Sequence, residues 1–452
     1  MNFNYVEGIL KELVDYVWGL PTVFLLVLSG IMLTLYIGWP LGFIQFRVFF
    51  HAFQVVRGKF DKADDPGEIS HFQALTTALS ATVGLGNIGI VAIIIKLGGP
   101  GAIFWMILTG FFGMATKFCE ASLAQKFRHI DSEGKSHGGP MYYIEKGLGP
   151  KFKALGIFYA LAITIGSFGI SNLFQSNQAA EIFNQNFLIP HLATGIFIAI
   201  LTALVIIGGI KRIGRVTSYL VPFMAVTYVL GCLIVLAYHY EKLPSLIMLI
   251  LHDAFSGSAI AGGAFMSVQM AMIQGVRRAC FSNEAGLGSA AIAHSAAATS
   301  EPIREGAVAA MGPFIDTMVI CTLSALVILA TNVWQTSDLV GVPLTALAFD
   351  TVILGFGTYF IPIAAFLFAF STMIAWYFYG ESALYYLSGK KHIRLYQVTF
   401  CLVAIVGSVW SIKPVLDFSD IMTGLMIFPN LLAIWLLSKS LKKDAMDYFS
   451  RY

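Results

Sequence analysis

Charged residues are scarce in this chain. Asp, Glu, Lys and Arg make up 12% of its 452 residues, whereas 57% of the residues are hydrophobic. A soluble domain carries about 25% charged residues. The composition therefore indicates a polytopic membrane protein, and it gives no support to nucleic-acid binding.

Other scarcities exclude further classes of function. The five cysteines are widely spaced within apolar stretches, which fits neither a disulfide framework nor a zinc site. The acidic start lacks the basic region of a cleavable signal peptide, and the absence of a P-loop excludes ATP-driven transport within this chain. Most of the nine histidines fall in expected loops, and His294 has no obvious metal partner. We therefore expect no enzyme activity and no cofactor.

Apolar stretches are what the chain has in abundance. At about 20 apolar residues per span, the sequence predicts an all-α protein with eleven transmembrane helices. They are placed at 17–38, 71–97, 101–127, 152–178, 192–210, 216–239, 261–293, 305–332, 356–387, 394–412 and 417–438. Short surface helices are predicted at 42–58, which is amphipathic, and at 243–255 and 339–353.

Lysine and arginine predict the orientation. With the N-terminus outside, one face receives 24 of the 28 basic residues. This bias predicts a cytoplasmic C-terminus and a multi-pass protein of the cell membrane.

Two apolar segments are interrupted by glycines. The first reads SATVGLGNIG at 80–89, and the second reads MIQGVRRACFSNEAGLGSA at 272–290. Discontinuous membrane helices line binding sites, because their free backbone groups need polar partners. The alternative is that the glycines only allow close helix packing.

The two interrupted helices open two sets of five spans. An odd number of spans makes the two sets inverted relative to each other. We expect an extra helix and a surface helix in 1–69, two five-helix repeats in 70–240 and 241–440, and a tail in 441–452.

Three motifs carry a family resemblance. GGPGAIFWM at 98–106, HGGPMYYIEKGLG at 137–149 and GVRRACFSNEAGLGSA at 275–290 resemble signature segments of the alanine or glycine:cation symporter family. Ile107 departs from the tryptophan that usually follows in that family. The resemblance implies the inverted-repeat fold of the bacterial leucine transporter. It also implies uptake of alanine or glycine with sodium, or less often with a proton.

The first interruption is similar to the unwound first core helix of the leucine transporter. The resemblance implies a substrate site that includes Thr82, Gly84, Leu85, Gly86 and Asn87. The N–H groups of Leu85 and Gly86 would begin a new half-helix, whose partial positive charge suits a carboxylate. The carbonyls of Ser80 and Val83 would face a cation instead.

The ninth span contains adjacent hydroxyls in an otherwise apolar run. The resemblance implies that Ser371 and Thr372 complete a sodium site with Ser80 and Val83. Membrane serines and threonines also bond commonly to their own helix, which is the alternative. Trp376 lies four residues after Thr372 and is expected to limit the pocket to a small side chain, or else to serve only in packing.

Further polar residues are candidates for the substrate site. We expect the second helix to unwind at Gln274 and Gly275, and Gln175 with Ser171 to face the pocket from the fourth span. The alternative for either glutamine is an interhelical hydrogen bond alone.

Intramembrane charges require partners. Lys117, Glu120, Arg277, Arg278 and Glu284 are expected to form one inner-gate network, or a purely structural pairing. Asp316 is the candidate for proton coupling.

Together these features predict a secondary symporter that works by alternating access as a monomer in the lipid bilayer. Its expected substrates are small neutral amino acids, with Na⁺ as coupling ion. A proton-coupled symporter of the same fold is the alternative. A channel, which more often shows pore loops or rings of charge, and a membrane-embedded enzyme are less favoured.

Overall fold

A computed structural model describes residues 3–256 and 264–451. Residues 261–263, at the start of the predicted seventh span, lie outside the described residues. The same holds for residues 1 and 2 of the predicted N-terminal segment and residue 452 of the predicted tail.

The N-terminal half of the chain is helical. Its α-helices are α1 (Phe3–Val17), α2 (Leu20–Leu33), α3 (Ile44–Val56), α4 (His71–Thr82), α5 (Val91–Gly98), α6 (Gly101–Lys126), α7 (Pro140–Tyr142), α8 (Lys153–Phe168), α9 (Phe174–Phe187), α10 (His191–Ile206) and α11 (Gly209–Tyr238). Helical turns of π type lie at Thr34–Gly38, Gly86–Ile90, Tyr143–Gly147 and Gly169–Leu173.

The C-terminal half is built in the same way. Its α-helices are α12 (Leu243–Ser256), α13 (Ala264–Asn283), α14 (Ala290–Ser295), α15 (Pro302–Pro313), α16 (Thr322–Ala330), α17 (Val333–Thr336), α18 (Val342–Asp350), α19 (Ile361–Ser388), α20 (Ile393–Val409) and α21 (Ile412–Phe449). Segments of π type lie at Phe314–Cys321 and Phe356–Phe360, and 3-10 turns at Trp39–Leu41, Pro150–Phe152, Tyr240–Lys242 and Gly389–His392.

One short hairpin joins α6 to α7. Strands β1 (His129–Ile130) and β2 (Ser136–His137) pair antiparallel, with His129 opposite His137. Asp131 closes the turn by accepting hydrogen bonds from the backbone N–H groups of Glu133 and Lys135. Hydrogen bonding to His137 lowers the pKa of Asp131 to about 2, so this carboxylate stays ionised and keeps the turn closed at physiological pH.

The length and apolarity of the helices fit a membrane protein. Within residues 3–256 and 264–451, seven helical stretches are long and apolar enough to cross a bilayer, and the bent pair formed by α4 with Gly86–Gly98 raises the number to eight. The predicted ninth and tenth spans fall together in one of these stretches, Phe356–Val409. At the predicted fifth span, 192–210, the structure has α10, which is apolar but shorter than the other spans. Helices occupy all eleven predicted positions, but eleven separate spans remain a prediction.

The three predicted surface helices are present as α3, α12 and α18. Phe46, Phe50 and Phe53 of α3 are exposed. Arg47 on the same helix donates to the backbone carbonyl of Phe449, near the C-terminal end of α21. An exposed apolar face with basic residues is the pattern of a helix that rests on a membrane surface.

Small residues allow α6 to pack closely against other helices. A Cβ atom on Gly101 would lie 2.4 Å from the backbone nitrogen of Ala254, and one on Gly275 would lie 2.4 Å from the carbonyl oxygen of Ala102. Close backbone approach through glycine is common between membrane helices. It explains Gly275 as a packing residue within a continuous helix.

Candidate functional site

The first helix break lies where the sequence predicts it. Helix α4 ends at Thr82, Val83 leaves the helical conformation with ψ of 89°, and the helix resumes in the turn Gly86–Ile90 at an angle of 45°. The side-chain oxygen of Asn87 accepts a hydrogen bond from the N–H of Gly84 at 2.9 Å. This bond takes the N–H that would otherwise pair with the carbonyl of Ser80.

The carbonyl of Ser80 is therefore open to another partner. Thr372 Oγ1 donates to it at 2.9 Å, and Ser80 Oγ donates to the carbonyl of Ser371 at 2.6 Å. All three residues are buried, as is Val83. The structure thus brings three of the four predicted ion-ligand residues, Ser80, Ser371 and Thr372, into direct contact through neutral oxygens. The hydroxyl of Ser371 itself donates to the carbonyl of Phe368 in its own helix at 3.0 Å.

Gly84 lies against the same hydroxyl. A Cβ atom there would come within 2.6 Å of Thr372 Oγ1 and 3.8 Å of the side-chain amide of Gln175. The Oε1 atom of Gln175 is buried and has no hydrogen-bond partner among the described residues. An unpaired buried acceptor costs free energy, so this atom is placed to accept a donor from a bound molecule.

Other predicted substrate residues behave differently. Ser171 Oγ donates to the carbonyl of Ser167 in its own helix at 2.7 Å. Leu85 and Gly86 are buried at the start of the resumed helix. Thr82 Oγ1 donates to the carbonyl of Leu79 at 3.3 Å.

The predicted position of the second break is wrong. Helix α13 runs without interruption through Gln274 and Gly275 to Asn283. Gln274 Nε2 donates to Met270 Sδ one turn earlier, and the Cβ of Gln274 packs against Gly98 at the end of α5. Gly275 thus belongs to the packing of α13. The Oε1 atom of Gln274 is buried and, like that of Gln175, has no hydrogen-bond partner among the described residues, so its predicted substrate role stays a prediction.

The second break lies between α13 and α14, at residues 284–289. Glu284, Gly286 and Gly288 have positive φ angles of 57°, 93° and 77°. Glu120 Oε1 accepts hydrogen bonds from the N–H groups of Gly286 and Gly288 at 2.9 and 3.1 Å. A carboxylate from α6 therefore satisfies the backbone that the break exposes.

Two further helices hold the second break. Asn430 of α21 donates to Glu120 Oε1 at 2.7 Å and to the carbonyl of Gly286 at 2.8 Å. Trp376 of α19 donates from Nε1 to Glu284 Oε1 at 2.8 Å. Sequence reasoning missed Asn430, although an asparagine within an apolar stretch is itself a signal of function.

The predicted single gate network is wrong, because the charged residues divide into two groups. Arg277 and Arg278 both pair with Asp420 of α21, Arg278 at 3.3 Å. Trp18 Nε1 donates to the carbonyl of Asp420 at 2.8 Å. The arginines have no ion pair with Glu284 among the described residues. Asp420, which sequence reasoning also missed, supplies the charge that they require.

Asp316 connects the two breaks. Its Oδ1 accepts a hydrogen bond from Asn87 Nδ2 at 2.6 Å, and its Oδ2 accepts from Ser282 Oγ at 2.7 Å and Thr317 Oγ1 at 2.9 Å. Asn87 belongs to the first break, and Ser282 lies two residues before the second. One buried carboxylate therefore couples the geometry of both.

His294 lies in a buried cluster of its own. Glu305 accepts from His294 Nδ1 at 2.6 Å through one oxygen and contacts His71 Nδ1 through the other. No group of metal-ligating side chains with the geometry of a metal site occurs among the described residues. The cluster holds α4, α14 and α15 together at one end of the bundle.

A cavity of about 660 Å³ opens at the end of the bundle that carries the β-hairpin. Phe378, Glu381 and Ser382 of α19 line it, together with residues of the hairpin and of the loop before α11. Residues 378 and 382 follow Ser371 at seven and eleven positions, so all three share one face of α19. The cavity therefore lies along the helix face that leads to the first break.

The chain is similar in sequence to known transporters along most of its length. The model of the sodium:alanine symporter family matches residues 3–452. The sodium/alanine symporter AgcS of Methanococcus maripaludis is 44% identical over 94% of this chain and 93% of its own length. An uncharacterized transporter of Haemophilus influenzae is 40% identical over 99% of this chain and 97% of its own length.

Solved structures show the fold. MhsT, determined in complex with L-phenylalanine, has a TM-score of 0.61 and 16% identity, covering 82% of this chain and 89% of its own. The predicted likeness to the leucine-transporter fold is confirmed at this level. The predicted resemblance to a family of symporters is confirmed as well: the chain belongs to the sodium:alanine symporter family.

Proposed function

We propose that this protein imports alanine, and by the same site glycine, together with sodium. The observation that carries the proposal is the pair of hydrogen bonds between Ser80 and the adjacent Ser371 and Thr372, which gathers neutral oxygens at the first break. Membership of the sodium:alanine symporter family and the similarity to AgcS support the choice of substrate and ion.

Sodium would bind to the carbonyl oxygens of Ser80 and Val83 and to the hydroxyls of Ser371 and Thr372. In the described conformation the hydroxyl of Ser80 and that of Thr372 hold α4 and α19 together directly. An ion between the two helices would replace the Thr372 bond and add its own charge to the attraction. The ion would thereby favour the arrangement of α4 and α19 that binds the amino acid.

The amino acid would bind beside the ion. Its carboxylate suits the N–H groups of Leu85 and Gly86, where the helix restarts and its dipole is positive. Its ammonium group can donate to the unpartnered Oε1 of Gln175. Trp376, fixed by its hydrogen bond to Glu284, limits the room for a side chain. The close packing of Gly84 against Thr372 leaves no room for a Cβ atom at position 84.

The proposed architecture is eleven spans in the cell membrane, with the N-terminus outside and the C-terminus in the cytoplasm. One helix precedes two inverted repeats, 70–240 and 241–440. In that orientation the cavity beside Phe378 lies on the cytoplasmic side and is the route by which Na⁺ and substrate leave. The protein would act as a monomer, and the two repeats would move around the site to open it to each side in turn.

Uptake of radiolabelled alanine into proteoliposomes tests the proposal. Sodium and proton gradients are imposed separately, and uptake is expected with the sodium gradient alone. Uptake driven only by the proton gradient would favour the alternative of proton coupling. No uptake under either gradient would refute both.

Thr372→Ala tests the ion site within the same assay. The variant loses one ligand and the bond to Ser80, so we expect the sodium concentration for half-maximal uptake to rise at least about tenfold, the equivalent of 1.4 kcal/mol. Thr331→Ala is a matched control, because that hydroxyl donates only to carbonyls in its own helix. Unchanged sodium dependence in Thr372→Ala would contradict the assignment.

A further inference from the structure

Four charged side chains gather at the second break. Lys117 and Glu120 come from α6, Glu284 lies in the break itself, and Asp316 lies on the segment after α15. Each is buried, with at most 3% of its surface exposed. Three acids therefore face one base inside the membrane region, where uncompensated charge is costly.

Two of the acids have a complete set of donors. Both oxygens of Glu284 accept a hydrogen bond, one from Trp376 and one from Ser289 at 2.5 Å. Both oxygens of Asp316 accept as well, from Asn87 at one end and from Ser282 and Thr317 at the other. Burial opposes the ionisation of both groups, whereas the hydrogen bonds to every oxygen and the charge of Lys117 favour it.

Glu120 differs from them in one atom. Its Oε1 accepts three hydrogen bonds, but its buried Oε2 has no donor among the described residues. The Nζ of Lys117 is buried one turn away on the same helix and also lacks a hydrogen-bond partner in the described part of the chain. An ionised Oε2 and a free ammonium would relieve each other by pairing.

The surroundings of Glu120 act in opposite directions. The three donors on Oε1 and the charge of Lys117 favour the carboxylate. Burial, the largest influence, favours the neutral acid. A carboxyl group whose surroundings oppose each other in this way can gain and lose a proton within the pH range in which proteins function.

We propose that Glu120 is a proton-binding residue of the transport cycle, separate from the sodium site, with its proton on Oε2 in the described conformation. Because protonated Glu120 is neutral, the positive charge of Lys117 is available to compensate Glu284 and Asp316. When Glu120 loses the proton, its Oε2 attracts Lys117 away from those two acids, and the charge balance at the second break changes. The inference rests on the proposed symport function.

Other titratable groups face Glu120 and are included in this account. They are Lys117 and Cys119 on its own helix, Cys280 and Glu284 on the side of α13, Tyr143 beside Asn430, and Tyr159 on α8. Tyr143 donates to Asn430 and Tyr159 to the carbonyl of Leu287. Lys117 is the one cation in this set.

Glu120→Gln tests the proposal, because glutamine has nearly the shape of the protonated acid and keeps an acceptor at Oε1. Uptake is measured in proteoliposomes at a fixed sodium gradient and zero membrane potential. In the wild type, uptake should decrease as the pH is raised. At alkaline pH the decrease should approach about tenfold per pH unit, which is the dependence expected for the loss of one proton. In Glu120→Gln, which cannot lose a proton, uptake should no longer depend on pH in this range.

Glu284→Gln is the matched variant. Its amide nitrogen cannot accept from Ser289 or Trp376, so uptake should fall at every pH and keep the wild-type pH profile. The inference is overturned if wild-type uptake does not depend on pH, or if uptake by Glu120→Gln still decreases as the pH rises. Either result leaves sodium-driven uptake itself standing. Absence of sodium-driven uptake in the wild type refutes the proposed function instead.

Infrared difference spectroscopy of the wild type in lipid gives a readout that needs neither transport nor the variant. Titration from acidic to alkaline pH should remove one protonated-carboxyl band, and addition of sodium and alanine should change the pH at which it disappears. A carboxyl signal that does not respond to pH, or a titration that sodium and alanine leave unchanged, overturns the proposal.

Discussion

The two helix breaks solve the same problem by different means. At the first break, neutral side chains satisfy the exposed backbone. Asn87 accepts a hydrogen bond from the N–H of Gly84, and Thr372 donates one to the carbonyl of Ser80. At the second break, the N–H groups of Gly286 and Gly288 donate to Oε1 of Glu120, an acidic side chain from α6. The first break is thus satisfied by uncharged groups, whereas the second is satisfied by an acidic side chain of the protein itself.

Glycine also serves the two breaks differently. Gly286 and Gly288 have positive φ, a conformation that other residues adopt only at a cost. Gly84 does not have positive φ, and its lack of a side chain instead allows Thr372 to approach. Replacing a glycine should therefore damage the fold at the second break and the ion site at the first.

Gly288→Ala should have the largest effect. The new Cβ would lie 2.4 Å from Pro140 Cγ, and the positive φ adds about 1–2 kcal/mol of strain. We expect the yield of folded protein and its melting temperature in detergent to fall sharply, with transport lost as a result. Gly312→Ala is the control, because no atom lies within 4 Å of a Cβ at that position. Equal stability of the two variants would contradict this view of the second break.

Gly84→Ala should have a smaller effect on stability and a specific effect on sodium. The new Cβ displaces Thr372 Oγ1 and breaks its hydrogen bond to Ser80, which costs about 1 kcal/mol. The protein should fold, and the sodium concentration for half-maximal uptake should rise at least about tenfold, or 1.4 kcal/mol. The measurement is uptake as a function of sodium concentration, with melting temperature recorded beside it. Loss of folded protein without a selective loss of sodium affinity would remove the distinction between the breaks.

Ser171→Ala should have the smallest effect. Its hydroxyl donates within its own helix, so removing it leaves both breaks unchanged. Alanine affinity should stay within about twofold, less than 0.5 kcal/mol. Gln175→Ala supplies the contrast, because it removes the unpartnered acceptor and should weaken alanine binding by about tenfold. A strong effect of Ser171→Ala on alanine affinity would place its hydroxyl in the pocket.

The sequence predicted the first break well because its signal is local. Glycines, a threonine and an asparagine occur together within a long apolar stretch, and such a stretch is rarely a continuous helix. The second break was misplaced by about ten residues. Gln274 and Gly275 interrupt the apolar pattern, but the glycine there serves packing against α6. Gly286 and Gly288, which require positive φ, were the better signal.

The pairing of charges could not be predicted in the same way. Asp420 lies 142 positions after Arg278, and nothing in the local pattern of either segment indicates the other. Glu284 and the arginines are near in sequence, but α13 turns them toward different partners, Trp376 and Asp420. Long-range pairs of this kind depend on how the helices pack.

The neutral oxygens of the first break have an electrical consequence. Ser80, Ser371 and Thr372 contribute no charge, so a sodium ion bound there with a zwitterionic amino acid gives the loaded site one net positive charge. Its passage into the cell is then driven by the membrane potential as well as by the sodium concentration. A potential of 100 mV contributes about 2.3 kcal/mol for each charge moved, enough for about 50-fold accumulation of the amino acid. Inward current that follows substrate addition is the direct sign of such a site.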